Sequence, residues 1–241
     1  MARDTVKATA GPLPAPVFFD FGESMNTTRR TLLGALAASG MVLPMVDARA
    51  QNKAPDAGID YKEVTPPQAT ESGGKIEVLE FFWYGCPHCY AFEPSLVAWA
   101  KKLPADVTFR RVHAQFTPQW VQHAKLFYAI EALSEVDRLH RKIFDTIHGE
   151  RRDLLKDADM LEWAAQNGID KTKFSDAFKS FGVAGKLQRA RQIVTNYKIE
   201  GVPMMAINGK FVTSPSIAGG QEKCLAVADF LIDQERRAKK A

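Results

Sequence analysis

The chain has 241 residues, 46% apolar and 25% charged, a balance that buries a core and excludes a disordered or fibrous protein. That length suits one compact domain, or one with a sizeable insertion. The net charge is +4, and removing residues 1–50, with five Lys or Arg and four Asp or Glu, leaves +3. With no basic stripe interleaved with aromatics, no nucleic-acid partner is expected.

Residues 1–24 are Pro-rich and aperiodic, and read as an upstream extension foreign to the native protein, with Met25 as the true initiator. From Met25 the chain runs Asn-Thr-Thr-Arg-Arg, then an apolar stretch from Leu32 to Val46, then Ala48-Arg49-Ala50. A basic start, a short hydrophobic run and a small-x-small site make residues 25–50 a signal peptide cleaved after Ala50. The run is short for a membrane span, and Arg29-Arg30 fits the general and the twin-arginine export routes alike.

Gln51 to Gly58 is polar and reads as a loose mature terminus. Tyr61 to Val64 predicts a short edge strand, and Glu71-Ser72-Gly73-Gly74 a turn. Ile76 to Trp83 then reads as a strand buried on both faces. By alternation Glu80 shares a face with Val78 and Phe82, so a carboxylate stands where an apolar side chain belongs. Gly85-Cys86-Pro87-His88-Cys89 follows, and Phe92, Leu96, Trp99 and Leu103 mark one face of a helix. Cys86 thus lies where a buried strand passes into a helix, with Pro87 at the favoured first position, while Pro94 should kink the helix.

Val107 to His113 predicts a second strand. Residues 117–197 read as helical throughout, with stripes Val136, Leu139, Ile143, Ile147 and Val183, Leu187, Ala190, Val194, Tyr197. Asp159-x-x-Glu162 resembles a capping box and Gly168 a stop; Asp170 precedes a short helix with Phe174 and Phe178. A stretch this long is an insertion and not a loop. His123, His140 and His148 read as isolated surface or packing residues. Met204 to Ile207 and Lys210 to Thr213 around Asn208-Gly209 form a hairpin, and a final helix from Gln221 to Ile232 places Cys224 on its apolar face. Cys224 is read as a buried small hydrophobe, with a redox or intermolecular role as the alternative.

A cysteine at a helix N-terminus meets unpaired N–H groups and the positive end of the helix dipole, both favouring thiolate. His88 adds an imidazole in the same turn. Cys86 is therefore the reactive thiol and Cys89 the resolving one. Cys-x-x-Cys is also half of a zinc site, but no matching ligand pair follows and no metal is expected; a purely structural disulfide is the other alternative. Glu80 is either a proton acceptor serving Cys89 or a structural partner of a base such as Arg111.

Val-Leu-Glu-Phe-Phe before Cys86-Pro87-His88-Cys89-Tyr90, with Gly201-Val202-Pro203 far downstream, resembles the DsbA family of periplasmic thiol:disulfide oxidoreductases. The resemblance implies an α/β thioredoxin fold with a helical insertion: its first part at 51–116, the insertion at 117–197 and the closing part at 198–241. It also implies a cis peptide at Pro203, with Val202 pairing with a bound peptide. For Glu80 it favours the proton acceptor, and it places Glu93 near the same buried charges, with an ordinary solvated position as the alternative. The function implied is donation of the Cys86–Cys89 disulfide to reduced exported proteins in the periplasm. A DsbB-type quinone-linked membrane partner would reoxidise it, with no cofactor beyond the disulfide. A monomer is expected. The rivals are a disulfide isomerase, for which about a dozen residues at the mature terminus leave no dimerisation domain, a dedicated periplasmic reductase, and a peptide-binding holdase.

Overall fold

A computed structural model describes residues 54–239. The signal peptide, the Met25 start and the Ala50 cleavage site lie outside the described residues. Strand β1 (Lys62–Glu63) is followed by β2 (Ile76–Phe82), helix α1 (Pro87–Ala100) and β3 (Val107–His113). All seven residues of β2 are buried, as its apolar run requires. It pairs parallel with β3 and antiparallel with β4 (Met204–Ile207), so α1 is the crossover of a βαβ unit. Strand β5 (Phe211–Thr213) completes a sheet of order β1-β5-β4-β2-β3.

The β4–β5 turn follows from its dipeptide. Asn208 and Gly209 both have positive φ, 50° and 73°, the requirement of a type I′ hairpin. Gly209 has a second reason to lack a side chain: a Cβ there would lie 2.0 Å from the Gln68 carbonyl oxygen. Strand β1 takes the sheet edge beside β5, as expected of Tyr61–Val64.

Between β3 and β4 stand α2 (Pro118–Ala132), α3 (Val136–His148), α4 (Asp157–Gln166), α5 (Lys171–Lys179) and α6 (Phe181–Asn196). Leu79, Phe81 and Phe82 join Phe127, Ile143, Phe144, Trp163 and Val194 in one core between the sheet and these helices. Val78, Phe92, Leu96, Met205 and Ile207 join a second core beneath α8 (Gln221–Ala238), which follows the short α7 (Pro215–Ala218). Each fully buried Phe contributes roughly 1.5–3 kcal/mol by transfer alone, so β2 is anchored from both sides. Cys224 is buried in the second core, its Sγ 3.9 Å from Met205 Sδ, and burial pushes its thiol up to about 12.

The capping box at Asp159 is corrected. Helix α4 begins at Asp157 with Lys156 as N-cap, so Asp159 lies within the first turn. Acidic residues suit both places, because the dipole favours negative charge throughout that turn. Gly168 does follow the helix, with φ 81°. Among the described residues no helix is long and apolar enough to cross a membrane.

Candidate active site

Trp83, Tyr84, Gly85 and Cys86 form a tight turn closed by the Cys86 N–H donating to the Trp83 carbonyl at 3.0 Å. Cys86 is the N-cap of α1, with Pro87 at the helix start, and its sulfur accepts the Cys89 N–H at 3.3 Å. A cysteine thus takes the place usually held by Ser or Asp, and its sulfur collects donors that the helix leaves unpaired. The Cys89 thiol donates to it as well. Against the opposing effect of burial, this bond, the Cys89 and His88 N–H groups and the His88 charge bring Cys86 down to about 6. Cys89 is displaced upward, by burial first and then by its neighbour's charge. Pro87 and His88 are exposed beside it. One thiol of the pair is therefore an anion at neutral pH and the other stays protonated.

The loop before β4 faces this sulfur. Val202-Pro203 is a cis peptide, and the Cys86 sulfur lies 3.5 Å from the Val202 carbonyl, to which it donates only when protonated. Residues 116 positions apart meet here because β4 lies beside β2. A groove of about 850 Å³ runs from His88 past Val202, Pro203 and Met204 to Val212 and Ile217.

Beneath the motif lies a buried charge group. Glu80 pairs across the β2–β3 ladder with Arg111. Its Oε2 is 2.9 Å from Arg111 Nε, off the line of a hydrogen bond, so the contact becomes an ion pair only when Glu80 loses its proton. Arg111 Nη2 donates to Glu93 Oε1 at 2.9 Å. Glu93 is buried, with the charges and away from solvent. Burial raises Glu80 to about 8 although Arg111 pulls the other way, and the Glu93 charge adds to the rise. Burial opposes ionisation of Glu93 too, but there His140 and Arg111 prevail and hold it below the usual range. One guanidinium serves two carboxyls, and Glu80 keeps the proton.

The histidines at 123, 140 and 148 are packing residues, as one of the two readings had it, yet they are not isolated. They converge with His113 on Trp83 and Tyr84. Trp83 Nε1 donates to His123 Nδ1 at 2.9 Å, and the indole stacks on Trp120 with centroids 4.1 Å apart. Tyr84 is held at each polar group. Its N–H donates to His113 Nε2 at 3.4 Å, its hydroxyl meets His140 Nδ1 at 2.8 Å, and its carbonyl accepts from His148 Nε2 at 2.8 Å. No local pattern marks these residues; the one available signal is that His140 and His148 lie on a helix with an apolar stripe. Among the described residues no group of three or more His, Cys, Asp or Glu side chains is placed to hold a metal.

A Cys-x-x-Cys pair at the head of the first crossover helix, faced by a cis-proline loop, defines a thioredoxin-fold thiol:disulfide oxidoreductase. A family model for the DSBA-like thioredoxin domain matches residues 77–222. The thiol:disulfide interchange protein DsbA of Azotobacter vinelandii is 44% identical over 214 residues, 88% of this chain and 100% of that protein. Its counterpart from Pseudomonas aeruginosa is 40% identical over 212 residues, 88% of this chain and 99% of its own. A crystal structure of Pseudomonas aeruginosa DsbA superimposes with a TM-score of 0.75 at 42% identity, covering 78% of this chain and 97% of that one. DsbA from Xylella fastidiosa gives 0.72 at 28%, over 77% of this chain and 100% of its own. The chain belongs to the DSBA-like thioredoxin domain family.

Proposed function

We propose that the protein is a periplasmic dithiol oxidase, acting as a monomer, that donates the Cys86–Cys89 disulfide to reduced exported proteins. A client thiolate attacks the Cys86 sulfur, a client–Cys86 bond forms, and the Cys86–Cys89 bond breaks with its electron pair going to Cys89. A second client thiolate then attacks the client sulfur of the mixed disulfide and expels the Cys86 thiolate. The client has lost two electrons and the enzyme holds them as a dithiol. A quinone-linked membrane oxidase of the DsbB type takes those electrons and restores the disulfide.

The observation that carries this reading is the hydrogen-bonded Cys86 sulfur, brought down to about 6 at the helix start. A stabilised thiolate is a good leaving group and makes the dithiol the lower-energy form, so the disulfide tends to give itself away. That favours an oxidant over a dedicated reductase. Glu80, protonated near neutrality, serves as the proton store for Cys89, which must gain a proton when it leaves and lose one on reoxidation. Val202 presents backbone beside the sulfur, where an extended client would pair with it.

Equilibration of the mature protein with glutathione, together with ultraviolet titration of the Cys86 thiolate, tests the proposal. A thiol titrating near 6 and a disulfide more oxidising than glutathione are expected. An ordinary thiol titration with a reducing potential would reject it.

A further inference from the structure

The turn that presents Cys86 has Tyr84 and Gly85 at its centre, and one side chain touches the chain on both sides of the redox motif, a backbone carbonyl before it and an aromatic ring after it. His148, the last residue of α3, donates from Nε2 to the Tyr84 carbonyl at 2.8 Å. Its ring also stacks on Tyr90, the residue after Cys89, with centroids 4.8 Å apart and planes 12° from parallel. Tyr90 is held on other sides by α3: its hydroxyl donates to Asp145 Oδ1 at 3.0 Å, and the Arg141 guanidinium lies 4.4 Å from its ring centre. His113 and His140 hold the remaining polar groups of Tyr84 from deep in the core. His148 is half-buried at its rim.

We propose that His148 is a positioning residue of the redox site, through which the helical insertion sets the separation between the Cys86 sulfur and the Cys89 N–H. This rests on the oxidant reading of that site. The N–H to sulfur contact stands at 3.3 Å, and a hydrogen bond weakens steeply as its length and angle depart from ideal. Tyr84 lies two residues before Cys86 and Tyr90 one after Cys89, so a ring fixed to both limits how far the intervening turn can open. Tyr84 is fully buried, so without the Nε2–H its carbonyl is left unpaired away from water. The turn then shifts to relieve it, at some cost to folding, and the geometry around the sulfur relaxes with it.

The test compares His148→Phe, which keeps a ring against Tyr90 but has no donor, with His148→Gln, whose amide N–H replaces Nε2–H. His148→Ala is read alongside as a smaller donor-free variant. Thiolate titration, the glutathione equilibrium and the melting temperature are measured on the full mature protein. His148→Phe and His148→Ala are expected to raise Cys86 by roughly half a pH unit or more and make the disulfide less oxidising. His148→Gln is expected to titrate as the parent does. Unchanged titration in both donor-free variants, or a Gln variant displaced as far as they are, overturns the assignment. A parent protein whose Cys86 titrates like an ordinary thiol defeats the oxidant reading itself, whereas a low parent value with unmoved variants defeats only the role of His148.

Discussion

The backbone N–H of Cys89 points at the sulfur of Cys86 across 3.3 Å, within the first turn of one helix. Two cysteines of one sequence motif are thereby made chemically unequal. The first gathers donors and ionises early; the second is buried beside that negative charge and keeps its proton. The roles proposed for the two thiols follow from this asymmetry.

Replacing each cysteine separately should therefore give different products. Cys86→Ser is expected to abolish oxidation of a reduced model protein. Cys89→Ser keeps the reactive sulfur; once Cys86 is loaded from oxidised glutathione, a client with a single thiol should displace the glutathione and accumulate as a Cys86–client disulfide, visible on a non-reducing gel. Equal losses without any trapped complex would contradict the assignment of attacker and resolver.

The stability of the dithiol form should depend on pH in a defined window. Cys86 ionises at about 6 when folded, against an ordinary value of 9.0. A depressed acid stabilises the folded state fully above its unfolded pKa and loses that contribution as pH falls through the folded one. Urea unfolding of the dithiol and disulfide forms should diverge in favour of the dithiol as pH rises from about 6 to 9. The difference is on the order of 2 kcal/mol once solvent screening is allowed for. His88→Leu removes one of the groups that lower Cys86 and should narrow the window from its acid side.

Glu80→Gln should stabilise the protein at neutral pH. Glu80 is raised to about 8 from 4.5, so above 4.5 folding requires a carboxylate to take up a proton, and stability falls with pH until about 8. Removing the group should return on the order of 2–3 kcal/mol at pH 7, fading toward pH 4.5. The same variant is expected to slow exchange by depriving Cys89 of its proton store. A variant less stable than the parent at pH 7 would mean that the ionic contact with Arg111 outweighs burial.

Gly85→Ala probes the other side of the turn. A Cβ at Gly85 would lie 2.3 Å from Trp83 Cζ2, and Trp83 cannot withdraw without leaving its stack on Trp120 and its bond to His123. The variant should lose about 1–3 kcal/mol and change the near-ultraviolet circular dichroism of the stacked indoles. An unchanged spectrum would show that the indole is free to move.

Much of the fold was written in local patterns. The unbroken apolar run of β2, the 3.6-residue stripes of the insertion and the Asn208-Gly209 turn each report short-range geometry, which neighbouring residues settle among themselves. Cys86 with Pro87 at a strand-to-helix junction is a local pattern of the same kind, and the structure places Cys86 at the N-cap of α1. Asp159 does not locate the start of α4, because an acidic residue suits the first turn as well as the cap.

What the residues could not disclose singly was which distant groups would meet. Arg111 was nameable as a partner for Glu80, but only the β2–β3 register set them opposite each other and brought Glu93 to the same guanidinium. His140 and His148 stand 56 and 64 positions from Tyr84 and belong to a helix whose own pattern speaks only of burial. Hydrogen bonds between side chains so far apart leave no period in the chain. They exist because the insertion packs on the end of the sheet, and packing is decided by the whole set of apolar contacts at once.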